Sequence, residues 1–204
     1  MGTGAGWVVH KLRLTDPDAG VRTRARAFIG AIIDLAGSFG APAIIGSMQG
    51  KAEGSVTRDQ AFAWLREALE QLGPRAHAQG VPLLFEPLNR YETNLVRSVA
   101  EGLELVQPLK TRSVKLLVDL FHANIEETSI PGALRLAGDQ LGHVHFADSN
   151  RQAIGFGHTE FTGIVEALAE LSYGGFVSAE ILPLPDPDAA AKQTMQSFRK
   201  WFRD

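Results

Sequence analysis

The sequence predicts an α/β fold in which helices surround a parallel sheet, and three observations lead to this prediction. Short apolar runs alternate with amphipathic stretches along all 204 residues, as in chains built from β-then-α units. The amphipathic stretches begin at recognisable helix caps, and no linker or low-complexity tract divides the chain. We therefore predict one domain over residues 1–204, with a parallel sheet and right-handed crossovers.

Six apolar runs are predicted strands, and the stretches between them are predicted helices. The strands cover residues 7–12, 43–46, 82–86, 114–119, 142–146 and 176–180. Asp16 is the predicted N-cap of the first helix, with Pro17 at the first helical position. The segment Thr57-Arg-Asp-Gln60 has the form of a capping box and begins a helix that Gly73 and Pro74 should kink. Later helices are predicted near residues 95–106, 132–136, 161–171 and 188–202.

Two architectures use such units, an open doubly wound sheet and a closed (β/α)₈ barrel of the TIM type. The open sheet is typically marked by a glycine-rich loop after an early strand. Here Gly2, Gly4 and Gly6 precede the first predicted strand, so we interpret them as a flexible end. Eight strands close a barrel in about 250 residues. Because we count six, we predict an incomplete TIM barrel of about six βα units.

Composition narrows the classes of function that the chain can have. Lys and Arg number 20 against 23 Asp and Glu, and the net charge of −3 provides no field that attracts nucleic acid. No apolar run approaches the roughly 20 residues of a membrane span, and no basic-then-apolar secretion signal is readable. The lack of cysteine excludes disulfides and thiolate ligands and fits a reducing compartment. These features predict a cytoplasmic enzyme or small-molecule binder with no nucleic-acid or membrane partner.

Four of the predicted strands end in a side chain that can bind a metal ion. These residues are Glu86, Asp119, His145 and Glu180, separated by 33, 26 and 35 residues, each near the length of a βα unit of about 30 residues. Because parallel barrel strands present their carboxyl ends on one face, the four side chains should converge there. A single acidic residue at a strand end often only caps the next turn, but four in register indicate a shared site.

Three carboxylates and one imidazole form a hard, oxygen-rich donor set. Such a set suits Mn²⁺, Mg²⁺ or Co²⁺ better than a structural zinc ion, which prefers Cys and His. Four protein ligands leave room for two neighbouring substrate oxygens, and chelation of a carbonyl and its adjacent hydroxyl would stabilise an enediolate. The sequence therefore predicts a divalent metal cofactor, with Mn²⁺ as the expected ion and Mg²⁺ or Co²⁺ as alternatives.

Four segments of the chain resemble motifs of a known family. They are residues 86–94 (EPLNRYETN), 119–127 (DLFHANIEE), 143–151 (HVHFADSNR) and 155–161 (GFGHTEF). They are similar to the xylose-isomerase-like sugar phosphate isomerase/epimerase family, and most similar to its D-tagatose 3-epimerase (ketose 3-epimerase) branch. The resemblance covers roughly residues 7–183, and the motifs are more specific for the family than for the reaction.

The resemblance implies a role for each motif residue. It implies metal ligands at Glu86, Asp119, His145 and Glu180, and it implies that Glu86 and Glu180 also form the acid/base pair on opposite sides of the substrate. His122 and Arg151 match residues that hold the carbonyl end of the substrate, and Glu92 matches a carboxylate that supports them. Two bases on opposite faces of one carbon can remove a proton from one side and return it on the other, which inverts the centre.

Two residues near His145 have roles that the sequence leaves open. His143 shares a strand face with His145 by period-two alternation, so it is either a partner behind the metal site or an ordinary interior residue. Asp148 follows His145 in a loop, where it either orients the histidine or forms a turn.

We expect a metal-dependent isomerase or epimerase that acts on a ketose or related small carbonyl compound, with 3-epimerisation as the leading reaction. Hydroxypyruvate isomerisation, inosose dehydration and a non-catalytic remnant are the alternatives. A DNA-repair endonuclease on the same barrel is disfavoured, because six His and a net charge of −3 supply neither a multinuclear zinc cluster nor a basic groove.

The beginning of the chain departs from the family, since the first two βα units of the usual layout have no counterpart. An arc of six strands leaves two sheet edges with unpaired backbone groups. The six residues before Trp7 are too few and too rich in glycine to replace two strands and two helices. We therefore expect the chain to form a homo-oligomer or to be marginally stable alone.

Overall fold

Five parallel strands form one sheet, and their order in space is their order in the chain. The computed structural model describes residues 1–202. Its strands are β1 (Ala43–Ile45), β2 (Leu83–Phe85), β3 (Val114–Asp119), β4 (Leu141–His145) and β5 (Val177–Ser178). An uninterrupted order is that of a barrel arc, because a doubly wound sheet reverses its order at a switch point. The prediction of an incomplete TIM barrel is therefore confirmed.

Helices follow the strands and cover one face of the sheet. They are α1 (Ala5–Val8), α2 (Ala19–Gly37), α3 (Arg58–Ala78), α4 (Val99–Val106), α5 (Leu120–Glu126), α6 (Ile130–Ala137), α7 (Thr162–Glu170) and α8 (Pro187–Trp201). Thr57 caps α3 as predicted, its hydroxyl accepting from the backbone N–H of Gln60 at 3.2 Å. Pro74 lies within α3, which continues past it to Ala78. Within residues 1–202, no helix is both long and apolar enough to cross a bilayer.

The hydrophobic core lies between the sheet and these helices. Alternate strand residues such as Ile45, Phe85 and Val118 belong to this core and are fully or almost fully buried. The residues between them point to the opposite face of the sheet, which is the inner face of the barrel arc. This inner face carries Leu84 and Leu117, and its polar groups gather at the carboxyl ends of the strands.

The first predicted strand is wrong. Residues 7–12 contain α1 and a turn, and the backbone N–H groups of Val9, Lys11 and Leu12 donate to carbonyls four to six residues earlier. The sheet position beside β1 is already taken by residues 1–3, since Ile44 donates to the carbonyl of Met1 at 2.9 Å. Gly2 forms an isolated parallel bridge with Ile44. The glycine-rich start is therefore a paired edge segment and not a flexible end.

The predicted N-cap of α2 is displaced by two residues. Asp18, and not Asp16, caps the helix, its carboxylate accepting from the N–H of Gly20 at 2.7 Å. Asp16 instead accepts from the N–H of Asp18 and pairs with Arg13 at 2.9 Å. The Asp16-Pro17-Asp18 segment is thus a turn before the helix, and Pro17 precedes the cap.

Candidate metal centre

Four side chains meet above the carboxyl ends of β2, β3, β4 and β5. Each offers one ligand atom, and these atoms lie within 4.8 Å of one another; the residues are Glu86, Asp119, His145 and Glu180. Nδ1 of His145 lies 3.5 Å from Oε1 of Glu86 and 3.4 Å from Oδ2 of Asp119. It also lies 3.4 Å from Oε2 of Glu180. The structure therefore brings together all four residues that the strand ends predict.

Strand register accounts for this convergence. Asp119 and His145 are direct partners across β3 and β4, and His145 is the partner of Ser178 across β4 and β5. Glu180 lies two residues beyond Ser178 and so returns to the same face by alternation. Glu86 likewise follows Leu84 by two residues on the inner face of β2. A shift of one residue in any strand would turn its ligand into the core.

Neighbouring backbone shapes the positions of two of the three carboxylates, those of Asp119 and Glu86. One oxygen of Asp119 accepts from the N–H of Phe121 at 2.8 Å at the start of α5, which leaves its second oxygen for the site. Glu86 lies against Gly46, where a Cβ atom would come within 2.6 Å of Oε2 of Glu86. Glycine at position 46 therefore leaves the space that the Glu86 carboxylate occupies.

The cluster concentrates negative charge around one imidazole. Burial alone lowers the pKa of His145, but the surrounding carboxylates more than offset burial and raise the pKa to about 11. The hydrogen bond with His145 lowers the pKa of Glu180 to about 2, and the charge of Arg151 contributes. Burial raises the pKa of Glu86 above its ordinary value. The three carboxylates thus favour a positive charge at the centre of the site.

The donor set fits a divalent cation. Oε1 of Glu86 is buried and has no hydrogen-bond partner among the described residues, which is costly for a carboxylate oxygen. A cation among the four ligand atoms would satisfy that oxygen and would take over the positive charge that protonated His145 otherwise supplies. Three carboxylates and one imidazole match Mn²⁺, Mg²⁺ or Co²⁺. Glu180 is 54% exposed on its side chain, so the cluster is open on that side.

The three residues predicted to bind substrate lie beside the cluster. Arg151 contacts Oε1 of Glu92 at 3.4 Å and Oε2 of Glu180 at 3.2 Å. Nε2 of His122 lies 3.9 Å from Oε1 of Glu92, and its Nδ1 lies 2.8 Å from the amide of Asn89. His122 is buried, whereas Arg151 and Glu92 are partly exposed. A polar wall therefore lies next to the metal cluster, and it is formed by the side chains of Arg151, Glu92 and His122.

A small cavity connects this wall to the metal cluster. Its volume is about 110 Å³, and it is lined from the cluster by Glu86, His145 and Glu180 and from the wall by Glu92, His122 and Arg151. Residues 2–4 of the N-terminal segment line another side. A small polar ligand in this cavity would contact both groups of residues at once.

Asp148 builds the loop that carries Arg151, a role that the sequence suggested only as a turn. Its carboxylate accepts from four backbone N–H groups at 2.7–3.0 Å, those of Ser149, Gly155, Gly157 and Thr159. These bonds more than offset burial and hold the pKa of Asp148 below its ordinary value. Arg151 itself has a positive φ of 60°, which a non-glycine residue adopts only in a well-supported turn. No hydrogen bond joins Asp148 to His145.

His143 lies behind the cluster. Its ring meets the ring of His145 edge-on at 5.5 Å, and its Nε2 lies 2.7 Å from the hydroxyl of Ser178. Burial and the neighbouring His145 lower the pKa of His143 to about 4. His143 is therefore a neutral neighbour of the ligand set.

Residues 2–201 match the family of xylose isomerase-like TIM barrels. The chain belongs to this family. Its resemblance to the ketose 3-epimerase branch is confirmed by the relatives below. The barrel arc of five strands is thus the part of a xylose isomerase-like barrel that carries the predicted ligands.

The relatives include sugar epimerases. A D-psicose 3-epimerase from Ruminiclostridium cellulolyticum is 35% identical over 171 residues, which are 82% of this chain and 58% of that enzyme. An L-ribulose 3-epimerase from Mesorhizobium japonicum is 37% identical over 126 residues, 61% of this chain and 41% of that enzyme. A crystal structure of a D-psicose 3-epimerase in the presence of D-fructose superposes with a TM-score of 0.84 at 26% identity, covering 93% of this chain and 74% of that one. The chain therefore spans about half the length of the curated relatives that it matches.

We predict that Asp148→Ala loosens the loop that carries Arg151. Hydrogen bonds to a charged group contribute about 1.5–3 kcal/mol each, so amide exchange at residues 149, 155, 157 and 159 should quicken by at least about tenfold. Hydrogen–deuterium exchange measures this directly. Asp139→Ala is the matched control, since Asp139 lies in a turn at residues 138–140 away from this loop. Unchanged protection in Asp148→Ala would show that other contacts hold the loop.

Proposed function

We propose that this chain is a divalent-metal-dependent sugar epimerase that inverts C3 of a ketose by proton transfer. The observation that carries the proposal is the convergence of Glu86, Asp119, His145 and Glu180 within 4.8 Å. The polar wall of Arg151, Glu92 and His122 beside this cluster supports it, as do relatives that are ketose 3-epimerases. Together these features suit a small molecule with a carbonyl and neighbouring hydroxyl groups.

Mn²⁺ is the proposed cofactor, held by Glu86, Asp119, His145 and Glu180, with Mg²⁺ or Co²⁺ as alternatives. Such an ion, when bound, would polarise a ketose carbonyl and make the adjacent C–H group more acidic. The oxygen-rich donor set supports this assignment, as does the buried Oε1 of Glu86, which has no hydrogen-bond partner among the described residues.

Glu86 and Glu180 are the proposed acid/base pair. They follow different strands, β2 and β5, and each offers a carboxylate oxygen to the same cluster. One carboxylate can remove the C3 proton from one face of the substrate while the other returns a proton to the opposite face. Asp119 is a poorer candidate, because one of its oxygens already caps α5.

The polar wall holds the substrate in place. Arg151 presents N–H donors to a carbonyl or hydroxyl oxygen, and the charges of Asp119, Glu180 and Glu92 raise the pKa of its guanidinium against the opposing effect of burial. Phe121 lies beneath this guanidinium at 5.1 Å, which restricts its movement. Asn89 fixes the ring of His122 through Nδ1, so Nε2 is directed toward the cavity side where Glu92 lies.

Proton exchange in D₂O distinguishes the candidate reactions. Incubation of the protein with Mn²⁺ and a panel of ketoses should place deuterium at C3, as detected by NMR, if the reaction is 3-epimerisation. Deuterium at C1 would instead indicate aldose–ketose or hydroxypyruvate-type isomerisation. Absence of exchange at both carbons with all ketoses would support a non-catalytic remnant.

Glu180→Gln should lower turnover by at least about 10²-fold, the low end of the effect of a general acid or base. The amide keeps an oxygen near the metal position but cannot accept the proton. Initial rates of C3 epimerisation measure the effect, with Glu166→Gln, an exposed residue of α7, as the matched control. Near-normal turnover in Glu180→Gln would rule out the two-carboxylate mechanism.

Mn²⁺ binding by single variants should distinguish the metal ligands from the residues of the polar wall. Asp119→Ala and His145→Ala each remove a donor atom, so Mn²⁺ affinity should fall by more than the roughly 10- to 100-fold effect of losing an outer partner. His122→Ala and Arg151→Ala should keep Mn²⁺ and instead raise KM or lower kcat. Calorimetric titration with Mn²⁺ tests both groups. Loss of the ion in His122→Ala would place His122 among the ligands.

A homo-oligomer is the proposed state of the chain, acting on a small sugar in the cytoplasm. No strand among residues 1–202 pairs with the outer edge of β5, and Phe176 before it is 83% exposed. Such an edge favours association. In sedimentation velocity, Phe176→Asp should shift the chain toward the monomer, whereas Phe39→Asp, at an equally exposed phenylalanine, should not. A monomeric wild-type chain would contradict this proposal.

A further inference from the structure

A second and larger cavity adjoins the metal cavity at its mouth. Its volume is about 500 Å³, against about 110 Å³ for the metal cavity. Ser47 and Glu92 line both cavities, so a ligand can extend from one into the other. The remaining wall includes Trp7 from α1, Tyr91 and Lys51. Sites for complete small molecules measure about 300–1,000 Å³; of these two adjoining cavities, the larger falls in that range and the smaller does not.

Two aromatic side chains give this cavity an apolar platform. Tyr91 is 77% exposed, so its ring is accessible to a ligand in this cavity. Trp7 is partly buried, with the ammonium of Lys11 at 5.3 Å and the guanidinium of Arg13 at 5.8 Å from its ring. The negative face of an aromatic ring attracts weakly positive C–H groups, which line the faces of a sugar ring.

The charges of the cavity balance. Arg13 and Lys51 are its cations, and Glu53 and Glu92 are its carboxylates. The guanidinium of Arg13 is already paired with Asp16 at 2.9 Å and with Glu53. A phosphate group would therefore meet two carboxylates, the already paired guanidinium of Arg13 and, as its one further cation, Lys51. A neutral group with many hydroxyls can instead accept hydrogen bonds from the cations and donate hydrogen bonds to the carboxylates.

We propose that this cavity, which we call the outer subsite, binds a second sugar ring attached to the reacting ketose. The substrate class would then be a ketose-containing disaccharide or glycoside and not a sugar phosphate. This inference rests on the proposed function for the position of the reacting ketose. Trp7 and Tyr91 are its specificity-determining residues, because they lie in the outer subsite and outside the metal cluster.

Binding to the Mn²⁺-loaded protein tests the outer subsite without relying on turnover. Calorimetry would compare D-fructose, fructose 6-phosphate and two glucosyl-fructose disaccharides, one linked through O1 of the fructose unit and one through O6. At least one disaccharide should bind at least about tenfold more tightly than fructose, the equivalent of one good ring contact. The linkage that binds more tightly shows which end of the ketose faces the outer subsite.

Tyr91→Ala should abolish this preference while leaving the Kd of fructose unchanged. Tyr91 is exposed on a loop, so its removal should not disturb folding, whereas Trp7→Ala also removes contacts with the core. Phe39→Ala, at an exposed aromatic residue distant in sequence, is the matched control and should keep the preference.

Three results would overturn the outer subsite. They are equal or weaker binding of both disaccharides relative to fructose, a preference that persists in Tyr91→Ala, and tighter binding of fructose 6-phosphate than of either disaccharide. Failure of the proposed epimerase is distinguishable, because a disaccharide could then bind with the predicted Tyr91 dependence and show no deuterium exchange at C3.

Discussion

The convergence of three carboxylates on one imidazole nitrogen is the constraint on which the rest of the structure depends. Like charges at this separation repel strongly in a partly buried site. Nδ1 of His145 lies 3.4–3.5 Å from all three, and this contact raises the pKa of His145 to about 11. A proton on His145 can balance only part of that charge. A divalent cation held by Glu86, Asp119, His145 and Glu180 would balance more of it and would also satisfy the buried Oε1 of Glu86.

The geometry of the barrel arc maintains the convergence of the four ligands. Parallel register aligns the strand ends, and period-two alternation sends every second residue to the inner face. Hydrogen bonds around the site then fix individual parts of it. Gln49, which is fully buried, donates to the carbonyl of Glu86 at 3.3 Å and accepts from the N–H of Val96 at 3.2 Å. Asp148 likewise fixes the loop that carries Arg151, because its carboxylate accepts hydrogen bonds from backbone N–H groups of that loop.

Sequence patterns predicted the strand ends well because one physical rule governs them. Apolar runs that end in a ligand at intervals of one βα unit can form a parallel arc only with those ligands on one face, so Glu86, Asp119 and His145 were placed correctly. Glu180 was also placed correctly, although β5 comprises only Val177–Ser178. The ligand positions follow from alternation, which is insensitive to the exact length of a strand.

The beginning of the chain could not be predicted in this way. Trp7, Val8 and Val9 have high strand propensity, yet they form α1 and a turn, because residues 1–3 already pair with β1. Only the tertiary structure reveals that competition. The wrong strand prediction also gave Trp7 a position inside the sheet. In the structure, α1 instead places Trp7 in the wall of the outer subsite. Asp148 was also underestimated, since no local pattern shows that N–H groups seven, nine and eleven residues away converge on its carboxylate.

The proposed chemistry depends on one divalent cation at the centre of the four ligands, with a nitrogen ligand from His145. Electron spin echo envelope modulation of the Mn²⁺-loaded protein tests it most directly. The account predicts one bound Mn²⁺ per chain with a ¹⁴N coupling from a single imidazole, lost in His145→Ala and kept in His143→Ala. A bound Mn²⁺ without nitrogen coupling, or a coupling that survives in His145→Ala, would contradict the account.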